Sequence, residues 1–277
     1  CNSLIKVHIS DLAAWCNIDF DLPEGSGFRS WDEPANPLHL FVNNVEVTEL
    51  TIPDGVTEIK ATAFYGFGSL TSVTIPNSVT SIGVFAFRGC NSLTSISIPN
   101  SVISIGSFAF AECGLNSLII PHSVTIDSYA FSHCSDLTSV TIGSSAISRD
   151  AFYDCEKLSS VIFDCAIVTS LFSYKSIKDI TLSENVTLIE KEAFRSCRGL
   201  TSITICCNPI IEENPFLNCS SIRVVSFDCE NVTTLFSDFT SINQVIMTGK
   251  VKTIDTNAFS GCSGLKSVII GSGVKSI

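Results

Sequence analysis

The chain has 277 residues, of which 45% are hydrophobic, and its formal net charge is -11. This acidic balance argues against nucleic acid and against anionic lipid or glycan surfaces as partners, because such partners are bound by basic side chains. Apolar residues are spread along the chain without a run of 18, so no membrane insertion is predicted.

The first 46 residues are predicted to form one enlarged and divergent repeat. Alternating apolar side chains indicate a strand over residues 4–9. A serine and an aspartate, both common helix N-caps, then open a short helix over residues 11–16. Prolines and glycines over residues 21–36 predict an irregular loop. Residues 38–47 place Asn-Asn between two short apolar runs, which predicts a hairpin with a tight turn.

From residue 47 to the end of the chain, one phrase returns roughly every 22 residues. In its clearest copy, Val73 and Ile75 alternate with hydroxyl residues, as in a half-buried strand. Pro76 ends the strand because it has no N–H to donate, and Gly83 is expected to permit a second bend. Each copy leaves an apolar wedge that only a neighbouring copy can bury, which predicts a solenoid of stacked turns. The copies begin at Val47, Leu70, Leu93, Leu115, Leu137, Leu158, Ile177, Leu200, Ile222, Ile242 and Leu265.

The recurring phrases IPxSVTSIG and AFxxC resemble the BspA-like leucine-rich repeats of bacterial and some protist surface proteins. The resemblance covers nearly the whole chain and implies a mainly β repeat solenoid, a right-handed leucine-rich repeat superhelix. The eleven copies predict about eleven turns. Residues 1–46, as the enlarged N-terminal repeat, and residues 47–277, as a continuous array, are expected to form one elongated domain. The resemblance also implies a cell-surface or secreted bacterial protein that binds host extracellular proteins or other cells.

Each complete copy contributes one phenylalanine from its AF phrase, and these side chains are predicted to be buried between neighbouring turns. The copies that begin at Leu158 and Ile222 are shorter and lack the AFxxC phrase. Phe172 and Phe236 are expected to fill the missing position in them. The AF phenylalanines are Phe87, Phe110, Phe131, Phe152, Phe194 and Phe259.

Both ends of the chain are interpreted as lying inside a repeat. Residues 1–4 copy residues 90–93, and the last copy stops at Ile277, short of a full unit. Solenoids need caps on their outermost turns, so a longer natural protein is expected.

Thirteen cysteines would suit a disulfide scaffold, but most of them share one position of the repeat. Free cysteine packs as a small hydrophobe, so an internal ladder of reduced thiols is predicted. Cys165 and Cys229 share a position in the two short copies. Cys206 and Cys207 are adjacent in a strand, so one of them is expected to face outward. The ladder members are Cys90, Cys113, Cys134, Cys155, Cys197, Cys219 and Cys262.

The sequence contains no motif that typically holds a metal ion or a phosphate. CxxC and HExxH are absent, and cysteine spacings near 22 residues are repeat spacings. The glycine-rich loops GxGxxG and GxxxxGK[ST] are absent as well. The chain is therefore predicted to be non-enzymatic, with no metal and no cofactor.

Strand positions that point away from the core form a candidate binding surface. In four copies both positions carry a hydroxyl side chain, and stacking would align these side chains in two parallel files. Isoleucine or valine interrupts the files in other copies. Serine and threonine also suit any solvated strand face, so a purely structural role stays open. The candidate residues are Ser72, Thr74, Ser95, Ser97, Ser139, Thr141, Ser202 and Thr204.

Together these features predict a monomeric binding or adhesion module that recognises an extracellular protein or glycoprotein through a neutral Ser/Thr-rich face. Two alternatives stay open: a structural spacer that presents another domain, and an accessory module of a carbohydrate-active protein that uses the acidic segment 1–46. The neutrality of the face rests on residues 61–148. Their only charged side chains are Arg88, Glu112, Asp127 and Asp136.

Overall fold

The structure is a computed structural model, and it describes residues 4–19, 38–169, 176–213, 215–236 and 238–276. The loop predicted over residues 21–36 and the replacement role of Phe172 lie outside these residues. The chain divides into two compact units, Cys1–Ser139 with Ala146–Lys157 and Val140–Ser145 with Leu158–Ile277. The division at residue 46 into an enlarged repeat and an array stays a prediction.

Among its described residues, the first unit contains one helix, α1 (Leu12–Cys16), and eleven strands. Strands of successive turns pair in parallel, so that β4-β6-β8 form one sheet and β5-β7-β9-β11 form another. The strands are β1 (Lys6–Ile9), β2 (His39–Val42), β3 (Val45–Val47), β4 (Glu49–Thr51), β5 (Glu58–Ile59), β6 (Ser72–Thr74), β7 (Ser81–Ile82), β8 (Ser95–Ser97), β9 (Ser104–Ile105), β10 (Ser117–Ile120) and β11 (Thr125–Ile126).

The N-terminal repeat contains the predicted helix and hairpin. Asp11 caps α1, and its carboxylate accepts a backbone N–H of the first helical turn at 2.9 Å. β2 and β3 form an antiparallel hairpin around Asn43 and Asn44, whose φ angles are 50° and 64°. Asparagine adopts this left-handed backbone more readily than most residues. Trp15 ties the helix to the first regular turn, because its indole N–H donates to the carbonyl of Ala63 at 2.8 Å.

Twelve further strands follow among the described residues. β13-β15-β17-β19-β21-β23 form a parallel sheet in register, and β14-β16-β18 and β20-β22 pair beside it. A 3₁₀ helix spans Thr234–Phe236 in one of the short copies. The strands are β12 (Ser139–Ile142), β13 (Ser160–Phe163), β14 (Ile167–Val168), β15 (Asp179–Leu182), β16 (Leu188–Ile189), β17 (Ser202–Ile205), β18 (Ile210–Ile211), β19 (Val224–Phe227), β20 (Asn231–Val232), β21 (Gln244–Met247), β22 (Thr253–Ile254) and β23 (Ser267–Ile269).

This architecture confirms the predicted mainly β solenoid, with about ten turns where about eleven were expected. In the described part of the chain, helix is limited to α1 and the three-residue 3₁₀ helix. The strands pair in register because each copy repeats the same alternation of buried and outward residues. Stacking therefore places equivalent residues of successive copies next to each other.

The AF phenylalanines form the centre of the core, as predicted. In the first unit Phe87, Phe110 and Phe131 are fully buried and stack at ring distances of 5.2 and 5.4 Å. In the second unit Phe216 stacks on Phe236 at 5.5 Å. Phe236 is fully buried, which confirms that it fills the AF position of its short copy.

Phe259 departs from the prediction, because its side chain is half-buried. It belongs to the copy that begins at Ile242, and the copy after it stops at Ile277, before its own AF phrase. Burial of an AF phenylalanine therefore depends on the following turn as well as on its own.

Gly83 does not supply the bend that was expected of it. The left-handed backbone of this turn lies at Phe85 and Gly89, with φ of 59° and 76°. Gly83 instead permits close packing, since a Cβ atom there would lie 2.5 Å from the backbone nitrogen of Ala61 in the preceding turn. Any side chain at this position would push two turns apart.

The cysteine ladder is internal, as predicted, and at least six of its thiols donate a hydrogen bond to a phenylalanine carbonyl of the preceding turn. Every ladder cysteine is at most 9% exposed. The S–H of Cys113 donates to the carbonyl of Phe87 at 3.3 Å, and that of Cys219 donates to the carbonyl of Phe194 at 3.0 Å. Cysteine suits this position because it packs as a hydrophobe and still supplies a weak donor to the AF carbonyl of the preceding turn. Cys206 is half-buried and Cys207 is buried, so one of the pair faces outward.

The thiols are expected to resist modification in the native state. Twelve cysteines are described and all are free, and burial raises the pKa of the Cys90 and Cys113 thiols. The thiolate is the reactive form, so a raised pKa slows alkylation at about pH 8. Mass spectrometry should find rapid native labelling at Cys206 alone among the twelve, and nearly complete labelling after denaturation without reductant. Recovery of fewer than half of the thiols would instead reveal a disulfide framework.

Candidate binding surface

Outward strand positions form the candidate surface in both units. Strand side chains alternate between two faces, so the neighbours of a buried residue point away from the core. Val73, Val140 and Ile203 are at most 4% exposed, which directs the candidate residues beside them outward. Three of the eight candidates are exposed and the other five are half-buried. The exposed ones are Thr74, Ser95 and Ser97.

In the first unit the structure brings four candidates together. The pairing of β6 with β8 places Ser72 opposite Ser95 and Thr74 opposite Ser97. β4 extends the sheet, with Thr51 opposite Thr74. These five residues form two adjoining rows of hydroxyl groups, which we call the hydroxyl patch.

In the second unit a shorter row of hydroxyl groups crosses the sheet. Thr204 on β17 lies between Thr181 on β15 and Ser226 on β19. Ile162 and Ile246 continue the row on either side, so the hydroxyl run ends after three residues. Thr181 was not among the predicted residues, although its alternation with the buried Ile180 and Leu182 marks it as outward.

The remaining candidates do not extend these groups. Ser202 lies between Asp179 and Val224, so the second predicted file is broken at this strand. Ser139 and Thr141 lie on β12, where both are half-buried. The hydroxyl files are therefore interrupted, as the sequence indicated, and the candidates lie in separate groups.

The hydroxyl patch differs from nearby threonines in its hydrogen bonding. In the described part of the chain, no hydrogen bond engages the side chains of the patch. Thr71 and Thr201, which directly precede outward serines, donate instead to carbonyls of the preceding turn at 3.0 and 3.1 Å. Such threonines fasten one turn to the next, whereas the hydroxyl groups of the patch keep both donor and acceptor available.

Carboxylates beside the sheet of the second unit are likewise engaged within the fold. Asp228 accepts hydrogen bonds from the Lys250 ammonium and the Thr248 hydroxyl, both at 2.6 Å. These partners hold the pKa of the Asp228 carboxyl below its usual value. Asp164 occupies the same position in the other short copy and accepts the Ser183 hydroxyl at 2.6 Å. Both aspartates fasten a short copy to the next turn.

No group of three or more His, Cys, Asp or Glu side chains that could hold a metal ion occurs among the described residues. None of the helices described has the length and apolar character needed to cross a bilayer. The outward strand face offers hydroxyl groups in a mostly uncharged setting, with Glu49 opposite Ser72 and Asp179 opposite Ser202 as charged neighbours.

The sequence matches the family described as BspA type leucine rich repeat region, in six copies over residues 57–171 and 165–277. These ranges include more than half of the chain. No curated protein sequence matches it.

Three solved structures illustrate the likeness to other repeat proteins. A leucine-rich repeat protein from Bacteroides ovatus is 26% identical over 85% of this chain and 75% of its own, with a TM-score of 0.39. The leucine-rich repeat protein of T. pallidum is 25% identical over 79% of this chain and 78% of its own, with a TM-score of 0.43. A leucine rich cell surface protein from Faecalibacterium prausnitzii is 21% identical over 81% of this chain and 88% of its own, with a TM-score of 0.29.

Proposed function

Because the chain belongs to the BspA-type leucine-rich repeat family, we propose that it is the binding or adhesion region of a bacterial cell-surface or secreted protein. It acts without catalysis and as a monomer. Its partner is an extracellular protein or glycoprotein, which it recognises through outward strand residues.

The free hydroxyl patch is the observation that carries this proposal. Hydroxyl groups bonded within the fold, such as that of Thr71, have no donor left for a partner. Those of Ser72, Thr74, Ser95 and Ser97 are in register on neighbouring strands and remain available. Each hydroxyl adds little affinity, so useful binding arises from extended contact and from several attachments at once.

The neutrality of the surroundings sets the salt dependence of this binding. Two of the four charged side chains in residues 61–148, Arg88 and Glu112, pair with each other at 2.8 Å. Few charges within these residues are left to steer a partner, and Glu49, opposite Ser72, adds one carboxylate at the edge of the patch, so added salt should change the interaction only slightly.

Lysine substitutions on the strand face test the proposal. The variant Ser72→Lys, Ser95→Lys, Ser139→Lys should lose binding to immobilised extracellular-matrix proteins or mucins, since three charged side chains cover the face. Surface plasmon resonance measures the loss, and unchanged thermal stability shows that the fold is intact.

A matched variant carries the same three charges at exposed turn positions, as Asn77→Lys, Asn91→Lys, Asn100→Lys. It should bind like the unsubstituted protein. Equal loss in both variants would assign the effect to net charge alone. Absence of binding by every form would favour a structural spacer, and indifference to the strand-face lysines would move the contact to another surface.

A further inference from the structure

A recess of about 690 Å³ opens in the second unit at the short copy that begins at Ile222. In the copy before it, four residues separate the end of β18 at Ile211 from Phe216, which stands at the AF position after a proline instead of alanine. The short copy has fewer residues for the same path and goes directly from Thr233 into the 3₁₀ helix that ends at Phe236. The shorter path leaves the recess between the two copies, and its volume lies within the range of natural ligand pockets.

The recess lies where the cysteine ladder is interrupted. The S–H of Cys262 donates to the carbonyl of Phe236 at 3.0 Å, so the two belong to adjacent turns of the ladder. In the short copy, the residue three places after the AF phenylalanine is Phe239 and not cysteine. A benzyl group does not fit the space of a thiol, and Phe239 is half-buried at the wall of the recess. Its ring meets that of Phe236 edge-on at 5.5 Å.

Arg223 holds the two walls together. Its Nη1 atom donates to the carbonyl of Ser220 at 3.1 Å and to that of Ser241 at 3.3 Å. Ser220 belongs to one wall and Ser241 to the other. The guanidinium, which also donates to the carbonyl of Ile222 at 3.2 Å, thus links the two walls at the protein surface.

The lining combines hydrogen-bond acceptors with an aromatic ring. Glu212 and Asp238 contribute carboxylates, Asn218 an amide and Thr234 a hydroxyl, while Phe239 contributes its ring. Glu212 Oε2 accepts the backbone N–H of Lys191 at 2.8 Å and Asp238 Oδ1 lies against Gly261, so among the described residues each carboxylate has its other oxygen left for a ligand. None of the described residues that line the recess is Lys, Arg or His. An anionic ligand would therefore be repelled, whereas a ligand with many hydroxyl groups could donate to the carboxylates and lay its C–H surface on the ring.

We propose that this recess binds a neutral saccharide of one or two sugar residues. The site is separate from the strand face, so the chain would engage the protein and the glycan of a glycoprotein through different surfaces. The mixed polar and apolar lining matches the two kinds of surface that a pyranose ring presents.

Ligand-observed NMR and calorimetry with cellobiose, maltose, lactose and N,N′-diacetylchitobiose test this site. At least one of these neutral disaccharides should bind, with millimolar or tighter affinity. N-acetylglucosamine, glucosamine and glucuronate then compare a neutral, a cationic and an anionic sugar. The neutral sugar should bind and glucuronate should not, whereas binding of glucosamine alone would overturn the proposal in favour of an amine site.

Two matched pairs of variants place the ligand in the recess. Thr240→Trp fills it and should weaken binding at least about tenfold, while Ser263→Trp, at the same position of the next turn, should leave it unchanged. Asp238→Asn removes one carboxylate and should weaken binding about five- to tenfold, whereas Asp255→Asn should not. Binding that survives Thr240→Trp, or that is absent for every neutral sugar, would overturn the assignment. The proposed function is tested separately, by the matrix-protein binding of the strand-face lysine variant. Failure of the saccharide site would therefore leave that proposal standing.

Discussion

Phe110→Ala is expected to lower the free energy of unfolding by roughly 3–5 kcal/mol, because it empties the middle of the phenylalanine ladder. Phe110 is fully buried and stacks between Phe87 and Phe131 at ring distances of 5.2 and 5.4 Å. Neighbouring turns are joined by in-register backbone hydrogen bonds and cannot close the space left by the ring. The cost therefore includes the cavity as well as the lost apolar contact.

Urea denaturation followed by circular dichroism measures this change. Ser72→Ala is the control, since its hydroxyl has no partner in the described structure, and its effect should be within about 0.5 kcal/mol. Equal effects of the two substitutions would mean that the inner and outer faces of the turns have been exchanged.

Glu112→Gln is expected to cost roughly 2–4 kcal/mol, because it leaves the Arg88 guanidinium buried without its counter-charge. Arg88 is 4% exposed, and two of its nitrogens donate to the same Glu112 oxygen at 2.8 and 3.2 Å. The guanidinium also lies over the rings of Phe85 and Phe108, at 5.6 and 5.9 Å from their centroids. The faces of these rings attract the cation, but they cannot replace the Glu112 carboxylate as a hydrogen-bond acceptor.

An exposed ion pair of the same unit provides the comparison. Lys157 and Asp136 are 2.6 Å apart with more than half of each side chain in solvent. Asp136→Asn should therefore cost less than about 1 kcal/mol. The measurement is again the midpoint of urea denaturation, and similar costs for both substitutions would show that Glu112 does not compensate a buried charge.

The sequence alone was sufficient for the elements that depend on local chemistry. The strand alternation around Val73 and the hairpin at Asn43 and Asn44 follow from the preferences of a few consecutive residues. The inward position of Phe110 follows from the copies themselves, because identical wedges can be buried only by stacking. The hydroxyl patch was predictable for the same reason, since Ser72 and Ser95 hold the same place in adjacent copies.

Only the tertiary structure decided how residues from different turns meet where the copies differ. Arg88 and Glu112 were two isolated charges in the sequence, and they pair because stacking brings them together from adjacent turns. Phe239 could not be assigned to the cysteine position, because the short copy has lost the phrase that would align it. Its register is set by hydrogen bonds such as that from the N–H of Asp238 to the carbonyl of Ser260 in the next turn. Local preference sets the shape of a single turn, whereas the contact surface between two turns exists only after they stack.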